Sequence, residues 1–200
     1  LSGKNYNMEV SVFQEAKIGN HCNGDCFFYK ETDKQFISVL ADGLGSGKDA
    51  KESSEAVINV MENHYAEPID HLIKRCNHQL MHKRGAVLGI LKIDFIEHTY
   101  SLTSIGNIGI TLIHTNGKKK RTIPTPGYLP GYGHPYKINR EKLETGQTFL
   151  MYSDGVDERK LLTGMSNFED VAGITNTYAK FHEEKQTDDT TLMAMRYDKI

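Results

Sequence analysis

The sequence contains no tryptophan, only three cysteines, only five prolines and no excess of either charge. The absence of tryptophan decides nothing, but the charge balance and the cysteine count each narrow the class of protein. Lys plus Arg is 24 against 26 for Asp plus Glu, a formal net charge of -2. A nucleic-acid surface needs concentrated positive charge, so no nucleic-acid partner is expected. The one basic run, Lys118-Lys119-Lys120-Arg121, follows Asn116-Gly117 and reads as a solvated hairpin strand. Cys22, Cys26 and Cys76 make no even disulfide framework. With no signal peptide visible, reduced thiols in a cytoplasm are expected. His21, Cys22 and Cys26 invite a zinc reading, but their spacing matches no closed site. No apolar run approaches the roughly 20 residues that cross a bilayer, so no membrane span is expected.

The 200 residues, 38% of them hydrophobic, suit one domain over residues 1–200 with a real core. Asn7 to Ile18, Asp25 to Glu31 and Gln35 to Ala41 read as strands. A helix is expected from Lys48 to Tyr65, with Ala50, Ser54, Val57, Ile58, Met61 and Tyr65 on its buried face. A second should start at Glu67-Pro68, bury Ile69, Leu72, Ile73, Cys76 and Leu80, and run through Lys83-Arg84 to a stop at Gly85. Ala86 to Phe95, Thr99 to Ile105, Ile108 to His114, Lys118 to Ile123, Gln147 to Ser153 and Thr190 to Tyr197 read as further strands. Pro124 to Pro135, rich in proline and glycine, must be a loop. Asn167 to Glu184 is weakly helical, with Phe168, Val171, Ala172, Thr175, Tyr178, Ala179 and His182 on one face. Strands in runs and helices in pairs predict an α+β fold with antiparallel sheets, not an alternating parallel one.

The chemistry lies at strand ends. Two apolar runs stop at Asp-Gly, at Asp42-Gly43 and at Asp154-Gly155. Asp25 follows Asn23-Gly24, and Asp188-Asp189 opens the last apolar run. One Asp-Gly is a common turn dipeptide; the combination is what counts. Carboxylates at strand ends can converge although they are far apart in sequence, and such a cluster is unstable unless a cation neutralises it. Oxygen-only donor sets suit hard divalent cations. The bend Gly43-Leu44-Gly45-Ser46-Gly47-Lys48 fails as a Walker loop, because Asp42 stands where the first glycine should be and Asp49 follows the lysine.

Ala41-Asp42-Gly43-Leu44-Gly45-Ser46-Gly47, Ser104-Ile105-Gly106-Asn107, Tyr152-Ser153-Asp154-Gly155-Val156 with Glu158 after it, and Asp188-Asp189-Thr190-Thr191-Leu192 together resemble the metal-dependent protein phosphatases of the PP2C type. The likeness is to the bacterial branch that acts in sporulation and stress signalling, and spans nearly the whole chain in the family's motif order. Asn77 to Leu91 and Gly127-Tyr128-Leu129 narrow it to the small feedback phosphatases of the general stress pathway.

The resemblance implies a PP2C-like four-layer αββα sandwich, two antiparallel sheets face to face with helices outside. It implies two Mn²⁺ or Mg²⁺ ions in the cleft, with Asp42 bridging them, the Gly43 carbonyl and Asp25 on the Asp42 side, and Asp154 and Asp188 on the other. Asp42 and Asp154 would be the catalytic carboxylates, Ser153 and Thr191 would orient ligands, and Asp189 would act behind them or through water. The substrates implied are phosphorylated stressosome scaffold proteins of the STAS-domain type, met by a cytoplasmic monomer. The alternatives are a phosphoprotein-binding pseudophosphatase or a hydrolase of small phosphate esters. Leu44 replaces the histidine that eukaryotic members carry, and no arginine precedes Arg75. Lys17 or His21 is then the candidate for holding phosphate. No C-x₅-R loop surrounds any cysteine, so thiol-phosphatase chemistry is not expected.

Overall fold

The computed structural model describes residues 6–19, 23–163, 170–182 and 188–199. Its elements run β1 (Tyr6–Glu15), β2 (Asp25–Glu31), β3 (Gln35–Gly43), α1 (Lys48–His64), α2 (Ile69–Gln79), β4 (Ala86–Asp94), β5 (Thr99–Ile105), β6 (Gly109–Ile113), β7 (Lys119–Arg121), β8 (Asn139–Lys142), β9 (Thr148–Tyr152), α3 (Glu158–Thr163), α4 (Val171–Phe181) and β10 (Thr190–Lys199). They build two antiparallel five-stranded sheets, β1-β10-β9-β6-β7 and β2-β3-β4-β5-β8.

Period-two alternation assigns each central strand to two cores. In β3, Phe36 and Leu40 face the layer between the sheets, while Ile37, Val39 and Ala41 face α1 and α2. In β10, Met193, Met195 and Tyr197 enter the inter-sheet layer, and Leu192 and Ala194 pack toward α3 and α4. Strands covered on both faces need apolar residues at nearly every position, which explains the continuous runs in the sequence. The result is the expected four-layer sandwich, with α1 and α2 outside one sheet and α4 outside the other.

Local departures have local causes. The second helix stops at Gln79, short of Lys83-Arg84: the Leu80 N–H still bonds the Cys76 carbonyl at 2.9 Å, but the Met81 N–H turns back to the His78 carbonyl at 3.4 Å, the Lys83 N–H to the Leu80 carbonyl at 2.9 Å, and His82 takes φ 67°. The short β8 was not anticipated, since Asn139-Arg140-Glu141-Lys142 is a polar edge with no apolar alternation. Neither was α3, whose Asp157 cap accepts the Arg159 and Lys160 N–H groups at 3.1 and 3.2 Å. In α4, Ala172, placed on the common face by the sequence, is exposed, and Ile174, left off it, is buried. Phe168, His21 and Cys22 lie outside the described residues. No helix among the described residues is long and apolar enough to cross a membrane.

Candidate metal centre

Antiparallel register brings the acidic strand ends together. β2 begins where β3 ends, so Asp25 stands directly opposite Asp42. In the other sheet Leu192 pairs with Tyr152, which sets the end of β9 beside the start of β10. The two sheets are then stitched across the cleft at Asp25. Its Oδ2 accepts the Ser153 hydroxyl at 2.7 Å and the Thr191 hydroxyl at 2.7 Å. The Thr191 N–H donates to Ser153 Oγ at 2.9 Å, and the Ser153 N–H to the Thr191 carbonyl at 3.0 Å. Ser153 and Thr191 thus orient a carboxylate, as the resemblance implied.

Asp25 is buried to 1% exposure, and its second oxygen, Oδ1, has no hydrogen-bond partner. A buried carboxylate oxygen left in that condition is costly unless a cation meets it. Asp42 is half-buried, while Asp154 and Asp188 are exposed at the rim. Burial pushes the Asp42 carboxyl up to about 8, and the charges of Asp25, Asp154, Asp188 and Asp189 add to the shift. Burial likewise raises Asp25 to about 6, against the opposing pull of the Ser153 and Thr191 hydrogen bonds. Asp154 is raised by the protein packed around it and then by the charge of Asp188. Four carboxylates on four strand ends therefore share one electrostatic neighbourhood. They do not already form a coordination sphere: among the described residues no three acidic, imidazole or thiol groups stand together at ligand distances. Mutual repulsion between like charges favours that separation.

Two neighbours of the cluster have partners of their own. Asp189 is buried, and its oxygens are taken by backbone, Oδ2 by the Gly24 N–H at 2.7 Å and Oδ1 by the Lys17 N–H at 2.9 Å. It therefore clamps the β1–β2 connection against the start of β10. Glu158 pairs with Arg121 at 3.0 Å and takes no part in the cluster. Leu44 packs against the inter-sheet core.

Asn107 was quoted in a motif but given no role by sequence reasoning. Its side-chain amide donates to Asp154 Oδ2 at 2.6 Å. The turn that presents it is closed by the Ser104 hydroxyl on the Ile108 carbonyl at 2.5 Å and by Gly106 at φ 90°. Gly43 has a packing reason to be glycine: a Cβ there would collide with the Ala50 carbonyl at the start of α1. That close approach seats the helix against the bend.

A model of the Stage II sporulation protein E (SpoIIE) family matches residues 32–198. The chain belongs to the SpoIIE family. Among SpoIIE-type relatives, it is 35% identical over 188 residues to the phosphoserine phosphatase RsbX of Bacillus subtilis (strain 168), covering 94% of each chain. It superposes on a crystal structure of RsbX in complex with magnesium with a TM-score of 0.89, at 34% identity and 96% coverage of both chains. A chain from work on the bacterial stressosome, a modular system adapted to control secondary messenger signalling, matches at TM-score 0.84 and 24% identity, over 95% of this chain and all of that one. The catalytic domain of the serine/threonine phosphatase PstP, in complex with two manganese ions, matches at TM-score 0.74 and 14% identity, over 96% and 99% of the two chains. The last two likenesses establish the fold alone.

Proposed function

We propose that this chain is a metal-dependent protein phosphatase that hydrolyses phosphoserine or phosphothreonine esters, acting as a single phosphatase domain over residues 1–200. What supports the reading is that Asp25, Asp42, Asp154 and Asp188 share one electrostatic neighbourhood at one end of the sandwich, with a buried, unpartnered Asp25 oxygen among them. The near full-length likeness to a phosphoserine phosphatase supports it.

The donor set is oxygen only, which fits Mg²⁺ or Mn²⁺ and not a thiolate-seeking metal. Asp25, Asp42, the Gly43 carbonyl, Asp154 and Asp188 are the residues that would hold two such ions. Bound there, the ions would supply charge neutralisation for a phosphoryl dianion and an activated water for in-line displacement. The protein's own contribution is positional. Ser153 and Thr191 fix Asp25 Oδ2 so that Oδ1 is left for a ligand, Asn107 fixes Asp154, and Asp189 holds the β1–β2 connection in place. Such supporting bonds set ligand direction and basicity. Asp42 and Asp154, one from each sheet, are the carboxylates on which turnover depends.

The substrates in this reading are phosphorylated stressosome scaffold proteins of the STAS-domain type, and the role is negative feedback on the bacterial general stress response by a cytoplasmic monomer. The likeness to RsbX supports it. The test is phosphate release from a phosphorylated stressosome protein with Mn²⁺ and with excess EDTA. Release with Mn²⁺ and none with EDTA is expected; sustained release in EDTA would refute the metal mechanism.

A further inference from the structure

Two stretches, residues 81–86 and 127–132, meet beside the acidic end without contributing to the cluster. The β3–β4 ladder ends with Gly43 opposite Ala86, so the chain before Ala86 overhangs the same end as Asp42. The Leu44 N–H donates to the Gly85 carbonyl at 3.0 Å, which ties that overhang to the glycine bend. Arg84 lies across the bend: a Cβ on Gly45 would stand 2.5 Å from its Nη1. Its Nη2 pairs with Asp49 of α1 at 2.8 Å, while the side chain stays 51% exposed.

The second stretch is fixed although it has no repeating structure. Ala86 and Leu129 exchange two backbone hydrogen bonds, 3.2 and 2.8 Å, and Leu129 is fully buried. Thr125 is bonded to Ser104 and Gly106 at 2.8 Å each. The Tyr128 ring rests where a Gly85 side chain would be, and the Met81 backbone rests against Gly131. What this anchoring presents to solvent is a shelf of Met81, Tyr128 and Tyr132, exposed to 48%, 39% and 70%, beside the exposed His82, Lys83 and Arg84.

We infer that this shelf docks the polypeptide flanking the substrate's phosphoserine, with Arg84 and Lys83 receiving acidic side chains and Tyr128 with its neighbours receiving the apolar part of the chain. The inference rests on the phosphatase reading of the adjoining cluster. Position and charge choose the occupant. A phosphoprotein bound at the aspartates and running on past the bend meets Lys83, the Arg84–Asp49 pair and aromatic faces there. A guanidinium already oriented by Asp49 loses little freedom on pairing with a carboxylate. Arginine, tyrosine and methionine together are what protein-binding surfaces are enriched in.

The experiment measures binding of two fluorescein-labelled peptides by anisotropy, with Mn²⁺ at low salt. Both carry a non-hydrolysable phosphonate analogue of phosphoserine, one flanked by aspartates and one by lysines. The unsubstituted protein should bind the acidic peptide about tenfold more tightly. Arg84→Ala should reduce that ratio to about two, Arg84→Lys should retain part of it, and Tyr128→Ala should weaken both peptides alike. Equal affinities in the unsubstituted protein, or a ratio unmoved by Arg84→Ala, would overturn the shelf. Phosphate release from the matching phosphoserine peptides is followed separately. No release with the flank preference intact would overturn the phosphatase reading and leave the shelf standing.

Discussion

The two ends of β3 differ sharply in character. At the Gln35 end, Phe36 is fully buried, and nearby Phe95 stacks on Tyr197 at a centroid separation of 5.9 Å. At the Gly43 end, Asp42 faces Asp25 across the ladder with its carboxyl pushed up to about 8. One end is dry and matched in shape. The other concentrates like charge and leaves a buried carboxylate oxygen unpartnered. The shared ladder lets the first end hold what the second would push apart. Stability and chemistry are therefore separable along one strand.

Substitutions at the acidic end should break that comparison most clearly. Asp42→Asn or Asp154→Asn should lower Mn²⁺-dependent phosphate release by at least about a hundredfold, the upper range for disturbing even the support of a metal ligand. Thermal stability in EDTA should hold or rise, because a repelling charge is gone. Near-normal turnover in either variant would remove these residues from the mechanism. At the opposite end the pattern should invert. Phe36→Ala should cost about 3–5 kcal/mol in chemical denaturation, while the fraction that stays folded keeps its turnover.

Smaller changes sharpen the contrast. Asn107→Ala removes the donor to Asp154 from an exposed turn. It should weaken Mn²⁺ activation about tenfold and change unfolding free energy by no more than about 0.5 kcal/mol. A metal titration of activity, paired with denaturant unfolding, measures both.

The smallest effect is on pH. Asp42 and Asp25 have folded pKa values of about 8 and about 6, above the roughly 3.9 of a free aspartate. The folded state therefore binds protons more tightly than the unfolded one. The contribution of these groups is fully present below about pH 4 and is lost as pH rises through 6 and then 8. Melting in EDTA should thus fall between pH 5 and pH 8, by about 2–4 °C for each kcal/mol lost. Added Mn²⁺ should reverse the trend, since its affinity grows as the carboxylates deprotonate. A melting temperature in EDTA that climbs over that range would contradict the clustering of these acids.

Legibility varied with the kind of signal. Apolar runs ending in Asp-Gly marked β3 and β9, and three- and four-residue spacing placed α1 to within a residue at its end. β8 was illegible because its polar residues reveal pairing only when β5 is beside them. The end of α2 was misplaced because Lys83-Arg84 before Gly85 is ordinary helix-stop chemistry, whereas in the fold Arg84 lies across the glycine bend and pairs with Asp49. Asn107 sat inside a noted motif, but nothing in a turn sequence says which carboxylate its amide will reach. Gly43 was read only as the donor of a carbonyl to a metal, whereas the backbone of Ala50 also demands that it carry no side chain.

By itself the amino-acid order settled which residue types stop each strand, and that those types are hard-cation donors, because apolar alternation and glycine chemistry are local properties. Only the tertiary structure decided that Asp25 faces Asp42, that Ser153 and Thr191 reach across from the other sheet to hold it, and that Arg84 lies on the glycine bend. Those relations depend on register and on the packing of one sheet upon another, which join residues from 17 to 166 positions apart and leave no local trace in the chain.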